Sequence, residues 1–398
     1  MSALTDVSTT PVKRAIAESI EAWRPRVDAL SRALHADPEI AFAEHRSAAA
    51  IMALLAEGGF EVTPGVGGLD TAFDARIGSG DLTVAVCVEY DALPEIGHAC
   101  GHHLIAGASV AAALALAPLV DELGITLRAV GTPAEEHGGG KAVLLEEGVF
   151  DGVSICVMLH PVQDGVTYNP VGTSAQAVGR YRAIFTGRSA HAAAAPHLAI
   201  NAADAAVLAQ VAIGLLRQQT RGDERIGLVT REAGSVTNII PDRAVIDFEC
   251  RAFEMDAYHA LHERVRQCFI GAATATGTDV EITATEPLYE PLLQHGRLAA
   301  SWVDAADALG LDTSPSAGMS GGSTDMGNLS QVIPSLHPWF SLPGVDAPIH
   351  SHDFARLADQ DTAYEAMFVG ATALAWTVAD AATGDADREH FLRAAYRG

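Results

Sequence analysis

Positive charge is scarce in this chain: 25 Lys and Arg stand against 50 Asp and Glu, a formal net charge of −25 over 398 residues. Such a balance repels phosphate backbones and anionic bilayers, so nucleic acid and membrane surfaces are excluded as general partners. An anionic small molecule can still be held locally, by a few arginines or a metal. Cysteine is scarce too. The five (Cys87, Cys100, Cys156, Cys250 and Cys268) are odd in number and widely spread, which is no disulfide framework. Only 19% of residues are charged and 49% are hydrophobic, so the chain can bury a large interior. No apolar h-region follows the first Met, which predicts no secretory signal and a cytoplasmic setting. The longest uncharged stretch, "LIAGASVAAALALAPLV" (104–120), is rich in Ala and contains Pro118. A membrane span wants about 20 residues, so this stretch predicts a buried helix.

Single cores stop growing near about 250–300 residues, which predicts two domains here. The first section opens with helical patterns, "RVDALSRALHADPEI" and "SAAAIMALLAEGGF". Apolar runs at 83–89, 125–131 and 153–159 then alternate with helical segments from 104 and at 141–148. Strands that are nearly continuously apolar predict a mostly parallel sheet flanked by helices, an α/β fold. The middle section changes rhythm. Strands at 180–187, 225–234, 243–252 and 279–287 surround helices at 200–219 and 256–277. The order βαββαβ predicts an inserted ferredoxin-like α+β domain over 179–289. The main domain then occupies 12–178 and 290–398.

Ligands of open α/β sheets bind at the carboxyl ends of the strands. Polar residues crowd there. The run 83–89 leads into Glu89, Asp91 and "EIGHACGHHLIAG", with His98, Cys100, His102 and His103. The run 125–131 leads into "TPAEEHGGGK", with Glu135, Glu136 and His137. The run 153–159 leads to His160, and "GVDAPIHSHDF" supplies His350 and His352 before the last helix. Two chemistries compete for Cys100. A thiolate nucleophile needs a base, and His102, two residues away, is awkwardly placed for it. That reading also leaves Glu135 and Glu136 without a role. A metal uses all of them. Cys100, His102, Glu136, His160 and His350 are five donors, more than the three or four usual for one catalytic zinc. Two divalent ions sharing a ligand fit better, with Zn²⁺, Mn²⁺ or Co²⁺ as candidates and Glu135 left as general base.

The motifs "DALPEIGHACGHH", "GTPAEEHGGGK", "MLHP", "GRSAHAAAAPH", "NIIPDRA", "GGSTDMGNLS" and "PIHSHDF" follow in that order. This series resembles the aminoacylase/carboxypeptidase-like di-metal amidohydrolases. It is most similar to the Cys-Gly-His branch, with hippurate, indole-acetyl-amino-acid and p-aminobenzoyl-glutamate hydrolases. The resemblance implies that Cys100 bridges two metals and that His102, Glu136, His160 and His350 complete the set. It implies Glu135 as base and then acid, and Asp91 as the residue orienting the ligands. In the inserted lid, His191 would polarise the scissile carbonyl and Asn238 would position substrate. It further implies a homodimer formed through the lid, and a small amide substrate with a free carboxylate, such as an N-acyl amino acid or dipeptide. Arg180, Arg182, Arg231, Arg243 and Arg251 are candidates for that carboxylate. His103, His137 and the Glu89-Tyr90-Asp91 stretch depart from the family's wording, and His98, His103, His137 and His352 are spare donors under a different alignment. Two rivals remain open on the residues alone: a metal-binding but inactive homologue acting as a binding protein, and a structural metal site in an unrelated transferase.

Overall fold

The computed structural model describes residues 10–316 and 322–398; Gly321, which opens the motif "GGSTDMGNLS", lies outside them. Residues 10–174, 292–316 and 324–398 form one compact unit, and 175–291 with 322 and 323 form a second.

In the first unit, α1 (Pro11–Ala36) starts where Thr10 Oγ1 accepts from the Lys13 amide and Pro11 takes the first helical position. Its inward stripe is Ile16, Ile20, Val27, Leu30 and Leu34, the three-to-four spacing of a helix face. It ends before Asp37-Pro38. Helix α2 (His45–Glu57) exits through Gly58. Strands β1 (Glu61–Pro64) and β2 (Phe73–Ile77) follow, then β3 (Leu82–Val88), α3 (His102–Leu116), α4 (Val120–Leu123), β4 (Ile125–Gly131), α5 (Gly140–Glu146), β5 (Ile155–Val157) and β6 (His160–Val162).

The second unit carries β7 (Ala177–Thr186), β8 (Ala190–His191), α6 (Ala202–Leu216), β9 (Arg225–Glu232), β10 (Ile239–Ile240), β11 (Arg243–Ala252), α7 (Met255–Thr276) and β12 (Asp279–Ala284). Its main sheet runs β12-β7-β11-β9, antiparallel throughout. Ala205, Ala209 and Ile213 of α6 and Leu261, Val265 and Phe269 of α7 pack on Phe185, Ile246 and Phe248 of the sheet. This is the ferredoxin-like order.

The chain then adds α8 (Gly296–Ala308), α9 (Met326–Ser330), β13 (Ser335–Leu336), β14 (Trp339–Ser341), α10 (His352–Leu357), α11 (Asp361–Thr383) and α12 (Asp385–Arg393) to the first unit. Three helices follow the His350 loop where the sequence pattern predicts one. The main sheet has the order β1-β2-β4-β3-β5-β13; β4, β3, β5 and β13 are parallel, and β1 and β2 form an antiparallel edge. The fold class is therefore α/β with a mostly parallel sheet. The run 153–159 gives a strand of only three residues, because the chain leaves the sheet after Val157 and His160 opens a separate pairing of β6 with β14.

Helix α3 is buried over its whole length, as the apolar stretch predicts. The segments His102–Leu123 and Asp361–Thr383 are long and apolar enough to cross a membrane, but 89% and 83% of their windows are buried inside the protein. Gly107 makes the contact between them possible: a Cβ there would stand 2.3 Å from the Met367 sulfur of α11.

Candidate metal centre

Every predicted metal ligand lies in the first unit, at the carboxyl ends of its parallel strands. The loop after β3 turns at Gly101, whose φ of +78° starts α3; a Cβ there would meet Pro161 at 2.6 Å. This turn sets Cys100 in the loop and His102 in the first turn of the helix. The loop after β4 carries Glu135 and Glu136. Ala134, just before them, has a φ of +62°. Its amide donates to Glu44 Oε1 at 3.0 Å, and the Glu136 amide donates to Asp91 Oδ2 at 3.0 Å. The acidic pair is thus held from both sides. His160 opens β6, and the His350 amide donates to Ala99 O at 2.8 Å, tying that loop to the cysteine loop.

The side chains converge in two overlapping groups. The donor atoms of Cys100, His102 and His160 lie within 4.8 Å of one another, and so do those of Cys100, Glu136 and His350. Cys100 belongs to both, the geometry for a shared thiolate. A third group joins Glu89, His102 and Glu135. Cys100 Sγ is 3.4 Å from His160 Nε2, and His350 Nε2 is 3.4 Å from Glu136 Oε1.

Partners on the far side of each ring set the tautomers. His102 Nδ1–H donates to Asp91 Oδ1 at 3.0 Å, and His160 Nδ1–H donates to Pro161 O at 2.7 Å. Both Nε2 lone pairs are therefore aimed inward, the arrangement of a metal-binding histidine with its outer hydrogen bond made. Glu89 Oε2, His102 Nε2 and Glu136 Oε1 are buried and have no hydrogen-bond partner among the described residues. Each unmet buried group costs about 1–3 kcal/mol, a cost that a cation at the convergence removes. Soft sulfur, imidazole and carboxylate suit divalent transition metals, so these residues fit a two-ion centre.

The electrostatics agree. Burial, then Glu89, Glu136 and Asp325, push the Glu135 carboxyl well above its ordinary range, a proton-holding group beside the ligands. Burial opposes charge on His102, but Asp91 outweighs it and raises that ring, so an ion bound at Nε2 would take the place of a proton there. Burial lowers His160 to about 4, keeping it neutral and able to ligate. Burial and Glu136 raise the Cys100 thiol; a coordinating thiol loses its proton outright.

The spare histidines do not join. Among the described residues none of the three donor groups includes His98, His103, His137 or His352. His98 Nε2 instead lies 3.1 Å from Leu34 O and His103 Nε2 lies 3.3 Å from Ala358 O, while the two rings pack on each other and His103 packs on His35. In the second unit, His191 is exposed on β8, and its Nδ1 accepts from the Ala193 and Ala194 amides at 3.2 and 3.1 Å. Asn238 is exposed, and its carbonyl accepts from the Ala192 amide. The five candidate arginines are each paired already: Arg180 with Glu286, Arg182 and Arg231 with Asp247, Arg243 with Glu232 and Arg251 with Glu249. The sequence pattern does not single out Glu44, Lys141 or Asp325 as site residues, and it assigns Glu89 no role. Lys141 and Asp325 sit inside quoted motifs, and the apolar run after Lys141 is the available sign that it is buried.

A buried cysteine shared by two three-donor groups, with a proton-holding glutamate alongside, defines a metal-dependent hydrolase with a dinuclear centre. The comparisons give the same class. Residues 85–370 match Peptidase family M20/M25/M40, and the chain belongs to that family. It is 36% identical over 391 residues to a Xaa-Arg dipeptidase of Mus musculus, covering 93% of this chain and 88% of that one. It is 33% identical over 290 residues to one of the p-aminobenzoyl-glutamate hydrolase subunits of Escherichia coli, covering 68% of this chain and 60% of that one. Among solved structures, a dinuclear metal-binding M20 peptidase of Bacillus subtilis superposes with a TM-score of 0.69 at 25% identity, covering 90% of this chain and 98% of that one.

Proposed function

We propose that this chain hydrolyses the amide bond of a dipeptide or N-acyl amino acid with a free carboxylate on the leaving side. The observation that carries the reading is Cys100 standing in both donor groups with buried Glu135 beside them. Two divalent ions, Zn²⁺ or Mn²⁺ with Co²⁺ as a substitute, held by Cys100, His102, Glu136, His160 and His350, would polarise the carbonyl and acidify water. Glu135 takes the proton of the attacking water and returns it to the departing amine. Asp91 keeps His102 in its ligating tautomer. His191 donates a hydrogen bond to the scissile carbonyl; its Nδ1 is occupied as an acceptor, which leaves Nε2–H as the donor. Asn238 positions substrate. Arg188 has no carboxylate partner among the described residues and precedes His191 by three positions, so it takes the substrate carboxylate in preference to the five paired arginines.

A net charge of −25 draws in cations. That favours a dipeptide ending in a basic residue over a dianionic aryl-glutamate, in line with the dipeptidase relative. Residues 12–178 and 290–398 serve as the catalytic domain and 179–289 as the lid. The lid carries the contact of a cytoplasmic homodimer: Val207, Leu208, Val211 and Leu215 form an exposed apolar stripe on α6, and β9 is an edge strand of its sheet among the described residues. Leu215→Glu is expected to give monomers by sedimentation. The deciding assay is hydrolysis of Xaa-Arg and Xaa-Lys dipeptides, β-alanyl dipeptides and p-aminobenzoyl-glutamate with added Zn²⁺, Mn²⁺ or Co²⁺. Preference for the basic dipeptides supports the reading. Two bound ions with no turnover on any of them would make the chain a binding protein instead.

A further inference from the structure

Three buried charges stand behind the His102 side of the centre, and none is among the five ligands. Lys141 Nζ lies 2.6 Å from Asp325 Oδ1 and is in short contact with Glu89 Oε1; all three side chains are 0% exposed. The Lys141 amide also donates to Asp325 Oδ2 at 2.8 Å. Asp325 therefore grips Lys141 at both its backbone and its ammonium. The three come from the end of β3, the first turn of α5 and the residue before α9.

A buried ion cluster is weak as a source of stability, since apolar residues of similar volume often do as well. The arrangement asks for another reason, and Glu89 gives one. Lys141 engages Oε1 only. Among the described residues Oε2 is buried without a hydrogen-bond partner and lies 3.7 Å from His102 Nε2, which has none either. With Glu135 these atoms form the third donor group. A carboxylate serving only the lysine would have no cause to present its second oxygen to a bare ring nitrogen.

We propose that Lys141, gripped by Asp325, is a positioning residue that aims Glu89 Oε2 at the ion on the His102 side, so that Glu89 is a further oxygen donor of the centre. This rests on the two-metal reading above. Lys141 supplies a fixed positive charge in a dry site, and its contact with Oε1 orients the free oxygen. Outer partners of this kind change metal affinity by about 10–100-fold.

The experiment is Co²⁺ titration of the metal-free full chain, reading the visible absorption spectrum and the bound stoichiometry, with no turnover involved. Wild type is expected to take two ions. Glu89→Gln should weaken one of them at least tenfold and change its spectrum, leaving the ion held by Cys100, Glu136 and His350 at wild-type affinity. Asp325→Asn, which loosens the lysine but keeps its contact with Glu89, should shift the same ion in the same direction by less. Glu89→Gln with both affinities and the spectrum unchanged would overturn the proposal. If that variant does not fold, an unaltered spectrum in both Asp325→Asn and Lys141→Arg would overturn it equally. Wild type taking a single ion would remove the two-metal reading itself, whatever the variants do.

Discussion

Asp91→Asn removes one charge and almost no volume, yet it should disable the His102 side of the centre. Asp91 is 1% exposed and accepts two hydrogen bonds, one on each oxygen: His102 Nδ1–H on Oδ1 and the Glu136 amide on Oδ2, both at 3.0 Å. Asparagine offers one acceptor and one donor. If its NH₂ faces the Glu136 amide, two donors oppose each other and a buried N–H is left unmet, at about 1–3 kcal/mol. If it faces His102, the ring must take the other tautomer, and the proton then sits on Nε2 where the ion belongs. Either outcome weakens binding, and tenfold corresponds to about 1.4 kcal/mol. A loss of about 10–100-fold in affinity for one ion follows, the range found for outer-shell partners of histidine ligands. The assay is competition between metal-free protein and a chelator of known affinity, with Zn²⁺ or Co²⁺ as the ion. The second ion serves as internal reference. Wild-type affinity for both ions in the Asn variant would refute the tautomer argument.

Other outcomes can be checked directly. Glu135→Gln should lower kcat by about 10²–10⁴-fold while metal analysis still finds the wild-type content. Burial raises Glu44 from an ordinary 4.5 to about 7. A raised carboxyl contributes its stability fully below the unfolded pKa and loses it as pH climbs to the folded one, so wild type should weaken from about pH 4.5 to pH 7. At about 1.36 kcal/mol per unit, Glu44→Gln should gain roughly 3–3.5 kcal/mol over wild type at pH 8 and nothing near pH 4, by urea unfolding. Gly107→Val should lose about 1–3 kcal/mol in the same assay, since its side chain meets Met367. A chelator should lower Tm, each ion at 100 times its Kd having added about 2.7 kcal/mol.

The parallel strands were legible because strands covered on both faces are largely apolar, as Leu82–Val88 and Ile125–Gly131 are apart from Thr83, Thr126 and Arg128. The donors were legible because Cys, His and Glu recur where such strands end. What stayed hidden depends on direction and on distance along the chain. His102 and His103 are neighbours in sequence, but successive residues of a helix point about 100° apart. One therefore faces the centre, and the other faces His35 and Ala358. The edge strand Glu61–Pro64 has a mostly exposed pattern that no periodicity reveals. Lys141 is harder still: a lysine reads as surface unless two carboxylates meet it, and Asp325 arrives from 184 positions away.

The charge count explains why so much polar machinery is tolerated in an interior. Glu89, Asp91, Glu135, Glu136 and Asp325 surround a thiol with Lys141 as the ammonium that pairs with two of them. Left alone, such a cluster repels itself in a low dielectric, and Glu135 answers by holding its proton. Two divalent ions bring the balance close to neutral. They also give Glu89 Oε2, His102 Nε2 and Glu136 Oε1 the partners they lack among the described residues. The same ions that supply the chemistry therefore relieve the strain of assembling it. Metal-free protein should open first at the loops that carry Cys100, Glu136 and His350, because those loops lose the ions' cross-links while the sheet beneath them keeps its apolar packing.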